Sequence, residues 1–177
     1  GNARVILISG EAGAGKTALV RQMVTDAVEV GYFSAIGQSS EMSVGVRFAP
    51  IRALVRDLAR SRGLRAVSDE LLGRALQSRS LGSASDLAAV SDGDLDAFEV
   101  LIDGFGSVAD DTPLLLVLED VQWADRTSLA FVHYLARHIR ESQLVLVVTV
   151  RTEAAQLPEA HRATLVELPR LAVVERQ

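Results

Sequence analysis

Near the start of the chain, Gly10-Glu11-Ala12-Gly13-Ala14-Gly15-Lys16-Thr17 fits the pattern GxxxxGK[ST] at every fixed position. It follows a short apolar, β-branched run, Val5 to Ser9. After it, Leu19, Val20, Met23, Val24, Ala27 and Val30 recur at helical spacing until Gly31 supplies a stop signal. Strand, glycine-rich turn and helix in that order are what a phosphate cradle requires. The glycines let the backbone wrap closely enough for successive N–H groups to face phosphate oxygens, and the helix start adds its positive dipole end. Lys16 is expected to reach the β- and γ-phosphates of a nucleoside triphosphate, and the Thr17 hydroxyl to ligate Mg²⁺. The full candidate contact set is Gly10, Glu11, Ala12, Gly13, Ala14, Gly15, Lys16, Thr17 and Ala18. An ordinary glycine-rich turn would read similarly. A chance match in a chain of this size is on the order of one in a few hundred, before the flanking strand and helix are required, which favours the phosphate site.

Lys16 stands out for a second reason. Of 18 Lys plus Arg it is the only lysine. A GC-rich coding sequence explains an excess of arginine, so the surviving lysine marks the position where a compact ammonium serves better than a planar guanidinium. The remaining composition narrows the field. With 177 residues, 49% of them hydrophobic, the chain suits one globular domain, and two would be cramped. No cysteine and three scattered histidines argue against disulfides, a thiolate nucleophile and a zinc site. The net charge of −5 argues against direct nucleic-acid contact, which needs a concentrated basic face. Leu114 to Leu118 and Leu144 to Val150 are too short to cross a bilayer, and no charged-then-apolar leader is present. A cytoplasmic protein is expected.

The rest of the chain alternates strands and helices. Tyr32 to Ile36 reads as a second strand diluted by small residues, and Pro50 can open a helix that buries Ile51, Leu54, Val55 and Leu58 and ends near Gly63. Ser68 can cap a short helix through Leu76, and Ser78 to Gly93 reads as loop. Leu95, Phe98, Leu101, Ile102, Phe105 and Val108 restore the helical period until Asp110, Asp111 and Pro113. Leu114 to Leu118 is a buried strand. Asp125 can cap a helix that buries Leu129, Val132, Leu135, Ala136 and Ile139; Leu144 to Val150 is another apolar strand, and Thr164 to Leu168 a last one before Pro169. Strands apolar on both faces and separated by helices predict an α/β fold with a mostly parallel sheet covered on both sides.

Glu119 and Asp120 follow the strand Leu114 to Leu118 abruptly. An acid brought to a strand end beside a phosphate cradle can hold Mg²⁺, and an adjacent acid can polarise an attacking water. An apolar strand ending in acids is common by itself; the cradle gives this one its meaning. Arg151 closes the strand Leu144 to Val150, and parallel sheets bind ligands at the carboxyl ends of their strands, so its guanidinium could sense a γ-phosphate. It could equally be a surface arginine.

Together, Leu116 to Asp125 (Leu-Val-Leu-Glu-Asp-Val-Gln-Trp-Ala-Asp), Thr127-Ser128-Leu129, Ala49-Pro50-Ile51 and Thr149-Val150-Arg151 resemble the AAA/STAND-type ATPase domain of the large ATP-binding LuxR-type bacterial transcriptional regulators. The resemblance covers nearly the whole chain. It implies a P-loop NTPase fold with five parallel strands in the order 5-1-4-3-2 and helices on both faces, and it matches Arg151 to the family's sensor arginine. By position it makes Glu119 the metal-side acid and Asp120 the candidate base, although the family often carries Asp-Asp there. Trp123 is read as packing or, alternatively, as stacking on the base. Relatives carry an acidic segment before the first strand, then a helical lid, winged-helix part, sensor repeats and helix-turn-helix. Residues 1–177 are accordingly expected to be one P-loop core cut from a larger regulator.

Two functions from different classes follow. One is a regulatory switch that binds Mg²⁺ and ATP, hydrolyses ATP slowly with Lys16, Glu119, Asp120 and Arg151 as the catalytic set, and signals to other domains of a regulator. The other is a nucleotide-holding scaffold without turnover. A small-molecule kinase shares the loop but usually lacks Trp-Ala-Asp. GTP is disfavoured because an Asn-Lys-x-Asp guanine reader needs a second lysine. An isolated core could expose apolar surface and self-associate.

Overall fold

The computed structural model describes residues 4–62, 92–138 and 142–151. Its strands are β1 (Arg4–Gly10), β2 (Phe33–Gln38), β3 (Leu114–Glu119) and β4 (Leu144–Arg151), and its helices are α1 (Lys16–Glu29), α2 (Ala49–Arg62), α3 (Asp92–Asp111) and α4 (Arg126–His138). The four described strands are all parallel and lie in the order β1-β4-β3-β2. They occupy four consecutive positions, 1-4-3-2, of the expected five-stranded order, with β2 at its outer edge. The predicted fifth strand, Thr164 to Leu168, and the predicted short helix from Ser68 to Leu76 lie outside the described residues.

Pleating explains why β3 and β4 carry unbroken apolar runs. Along β3, Leu114, Leu116 and Leu118 enter the larger core with Phe98, Leu129 and Leu135, while Leu115 and Val117 face the other way onto Val20 of α1. Along β4, Leu144, Leu146 and Val148 alternate in the same manner with Val147. Side chains alternate across a strand, so a strand covered on both faces needs an apolar residue at every position. Helices α2, α3 and α4 contribute to the larger core and α1 to the smaller one. Phe98 gathers Phe48, Phe131 and Tyr134 around it at ring-centroid distances of 5.9, 5.3 and 5.5 Å.

Gly31 stops α1 as expected. At φ 91° it takes the left-handed conformation, and the next N–H, from Tyr32, reaches back 2.9 Å to the carbonyl of Ala27. β2 runs two residues further than the apolar pattern suggests, to Gln38, and its small residues have a packing reason. A Cβ on Gly37 would stand 2.2 Å from the carbonyl oxygen of Pro50, so α2 approaches β2 where no side chain intervenes. Asp57 of α2 also accepts the Ile36 N–H at 2.9 Å, satisfying a donor on a strand with no second neighbour among the described residues.

One assignment is overturned. Asp92 and Gly93 belong to α3 rather than to the loop predicted from Ser78 to Gly93. Acids at Asp92 and Asp94 favour a helix start through the dipole, and burial of Asp94, Ala97 and Phe98 outweighs the cost of a helical glycine.

Candidate functional site

Because the four described strands run the same way, the carboxyl ends of β1, β4 and β3 meet along one edge. Register makes this concrete: Gly10 pairs with Arg151 across β1 and β4, and Gln38 pairs with Glu119 across β2 and β3. The glycine-rich loop, the arginine and the acids therefore share an edge, as ligand binding at strand carboxyl ends requires.

Beyond Gly10 the chain makes a turn in which the Ala14 N–H donates to the Glu11 carbonyl at 3.2 Å. Gly13 and Gly15 hold φ of 81° and 86°, a region costly for residues with a Cβ. Gly15 is the N-cap of α1 and brings no side-chain hydrogen bond to its first turn. That turn exposes N–H groups that a helix leaves without partners, and Glu11 to Gly15, Thr17 and Ala18 are all exposed. Lys16 folds back over the loop, its Nζ donating to the carbonyls of Gly10 and Glu11 at 2.8 Å each. An ammonium has three protons, so one remains for a ligand.

On the neighbouring strand the two acids part company. Glu119 is the last residue of β3 and 8% exposed. Asp120 leaves the strand with φ 55°, a left-handed conformation that Asp tolerates better than most residues. The departure is pinned by Thr149, whose hydroxyl oxygen accepts the Asp120 N–H at 2.9 Å. Asp120 Oδ1 receives the Gln122 Nε2 donor at 3.0 Å and lies 3.5 Å from Arg151 Nε. The structure thus brings two of the predicted residues, Asp120 and Arg151, into an ion pair. Trp123 closes a single 3-10 turn, Val121–Trp123, and Asp125 caps α4 by accepting the Ser128 N–H at 3.1 Å and the Ser128 hydroxyl. In the Trp-Ala-Asp segment, Asp125 therefore has a structural role.

Sequence reasoning passed over Thr149 and Gln122 as site residues. Thr149 had a signal: it is the one hydroxyl inside the apolar run Leu144 to Val150, and it is 2% exposed. Gln122 stood inside the motif that carries the family resemblance, but nothing along the chain showed that it would reach Arg151 at the end of β4.

The donor set fits a magnesium-bound triphosphate. The first-turn amides, the Lys16 ammonium and the glycines without a Cβ offer an anion cradle, while the Thr17 hydroxyl and the acids offer oxygen to a hard cation. Among the described residues no cluster of three or more His, Cys, Asp or Glu forms a ready-made metal cage. Mg²⁺ asks for none, taking one or two side chains and completing its shell with phosphate and water.

Known proteins agree on the architecture. Cdc6p from Pyrobaculum aerophilum superposes with a TM-score of 0.53 at 16% identity, covering 98% of this chain and 38% of that one. A chain in the structure of Drosophila ORC bound to AT-rich DNA and Cdc6 gives 0.54 at 13% identity, covering 98% of this chain and 48% of that one. At such identities the likeness speaks for the fold alone. In sequence, the ATP-dependent zinc metalloprotease FtsH 3 of Sorangium cellulosum is 37% identical over 105 residues, which span 58% of this chain and 17% of that protein. The family model for the AAA ATPase domain matches residues 1–148, a stretch holding both the loop and the acids, and the chain therefore belongs to the AAA ATPase domain family.

Proposed function

We propose that residues 1–177 form one P-loop core that binds ATP with Mg²⁺ through Gly10 to Ala18, hydrolyses it slowly, and serves as the switch of a larger LuxR-type bacterial transcriptional regulator. The observation that carries the reading is the Asp120–Arg151 pair, 3.5 Å apart, at the edge where β1 delivers the phosphate loop. When bound, magnesium and ATP supply the electrophilic γ-phosphoryl group and neutralise the charge that develops on it. The chain's own residues do the rest. The loop amides and Lys16 orient the phosphates, Thr17 and Glu119 hold oxygen ligands toward the metal, Asp120 accepts the proton of a water, and Arg151 adds positive charge where negative charge grows.

The larger-regulator setting draws support from the motif resemblance and from coverage, since the chain spans 17% to 48% of the relatives described above. Within such a protein this core would contact neighbouring domains, with self-association possible when it is alone. The net charge of −5 favours leaving DNA contact to other parts. No helix among the described residues is long and apolar enough to cross a membrane, in keeping with a cytoplasmic setting.

Calorimetry with ATP, ADP and GTP, with and without Mg²⁺, tests binding. Selective adenine-nucleotide binding is expected, weakened about 100-fold in Lys16→Ala through loss of a charged contact. Equal affinity of wild type and variant, both folded, refutes the site. Turnover is tested separately with Asp120→Asn, which keeps the left-handed conformation. A loss of about 100-fold or more in kcat at unchanged affinity identifies the base. The second reading, a scaffold without turnover, is favoured by one observation: Asp120 is already engaged by Gln122 and Arg151. Nucleotide binding with no measurable hydrolysis in wild type would select it.

A further inference from the structure

The β3–β4 ladder ends at Leu118 and Val148, because β3 turns away at Asp120 while β4 continues to Arg151. Two donors at this parting are taken up by side chains: Thr149 Oγ1 accepts the Asp120 N–H, and Gln122 Oε1 accepts the Arg151 N–H at 3.2 Å. A main-chain N–H can only donate, so the amide oxygen of Gln122 must face Arg151. Its nitrogen must then face Asp120, whose carboxylate can only accept. The orientation of Gln122, 9% exposed, is thus fixed from both ends.

We infer that Gln122 is a positioning residue: it ties the Asp120 carboxylate to the main chain of Arg151 and selects Oδ2 as the oxygen offered to water. Gln122 Nε2 at 3.0 Å and Arg151 Nε at 3.5 Å both address Oδ1, and among the described residues Oδ2 accepts no hydrogen bond. The carboxylate is held by one oxygen and presented by the other. The inference rests on the reading of Asp120 as the base and deepens it. It assigns to Gln122 no contact with nucleotide.

Three variants of the 177-residue chain separate the possibilities. Gln122→Leu removes both hydrogen bonds with little change of volume. Gln122→Glu keeps an acceptor for Arg151 but sets a second carboxylate against Asp120. Gln122→His restores one donor and one acceptor in a neutral ring. Gln122→Leu and Gln122→Glu are expected to lower kcat by about 10- to 100-fold, the effect of a misplaced proton acceptor, with Mg-ATP affinity within about 3-fold of wild type. Gln122→His should recover most of that loss. Unchanged kcat in folded Gln122→Leu, or equal losses in kcat and affinity, overturns the inference, as does a His variant no better than Leu.

A readout without turnover accompanies these. In nucleotide-free protein the Arg151 amide should exchange about 10-fold faster in Gln122→Leu than in wild type, with Val147 and Val148 unchanged. Equal exchange at Arg151 overturns the tie even if wild type proves not to hydrolyse ATP. Absent turnover with faster exchange would instead sink the assignment of Asp120 as base and leave the tie standing.

Discussion

Gly37→Ala adds one methyl group where α2 crosses β2, and the structure sets the size of the penalty. The new Cβ would meet the Pro50 carbonyl oxygen at 2.2 Å and the side chains of Leu118 and Leu54 at 3.0 Å each. Real Cβ atoms do not approach a carbonyl oxygen closer than 3.0 Å, so α2 must retreat by about 1 Å or β2 must bend. The two leucines could adjust by rotation, but the carbonyl belongs to a helix backbone and moves only with the helix. Overpacking costs about 1–3 kcal/mol, and a rigid obstacle puts this case near ~3 kcal/mol. That is a large part of the ~5–15 kcal/mol by which domains of this size are stable. Gly106→Ala in α3 is the control: its Cβ meets nothing within 4 Å, so ordinary helix propensity predicts a gain of about 0.5–1 kcal/mol. Urea unfolding followed by far-ultraviolet circular dichroism gives both values at constant slope. A Gly37→Ala midpoint within ~0.5 kcal/mol of wild type, or a Gly106→Ala midpoint lowered as much as that of Gly37→Ala, would refute the packing argument. The functional consequence is local, because Gly37 precedes Gln38, the register partner of Glu119. A displaced β2 end should therefore weaken Mg-dependent binding before it abolishes folding.

Two further substitutions probe supports around the site. Asp125→Ala removes the acceptor of the Ser128 N–H at the start of α4 and should cost about 1–2 kcal/mol in thermal unfolding, with nucleotide affinity unchanged; an affinity loss without a stability loss would show that Asp125 touches ligand. Arg47→Ala removes the guanidinium paired with Asp94, a carboxylate 2% exposed at the start of α3, and should cost about 2–3 kcal/mol. The value sits below that of a fully buried pair because Arg47 keeps 34% of its exposure, and a urea midpoint unchanged from wild type would refute it.

How much could be read beforehand depended on whether a residue answers to its neighbours in sequence or in space. Gly15 is legible because the backbone at that point needs a positive φ, and the strand before it and the helix after it mark the place. β3 and β4 are legible because burial on two faces forces an unbroken apolar run, and helical periods between the runs point to a covered parallel sheet. β2 is blurred for the opposite reason. Its Ala35 and Gly37 are small on the face that α2 covers, and smallness read along the chain looks like weak strand propensity. The start of α3 was misjudged on the same ground, since Gly93 signals a loop locally while Phe98, five residues on, commits the segment to the core.

The acids show where sequence reading reaches its limit. Their presence after a buried strand marked the edge, but their different surroundings are set by a backbone event that no spacing encodes, the left-handed turn at Asp120. Once the chain turns there, β3 stops pairing with β4, and donors that a longer ladder would have satisfied need other acceptors. Thr149 and Gln122 provide them, and in doing so hold the carboxylate against Arg151. Pairing these part-buried N–H groups therefore places the acid and the arginine together. The geometry proposed for catalysis at this edge follows from satisfying the backbone where two strands separate, so the candidate site could be located from its motifs and its arrangement only from the fold.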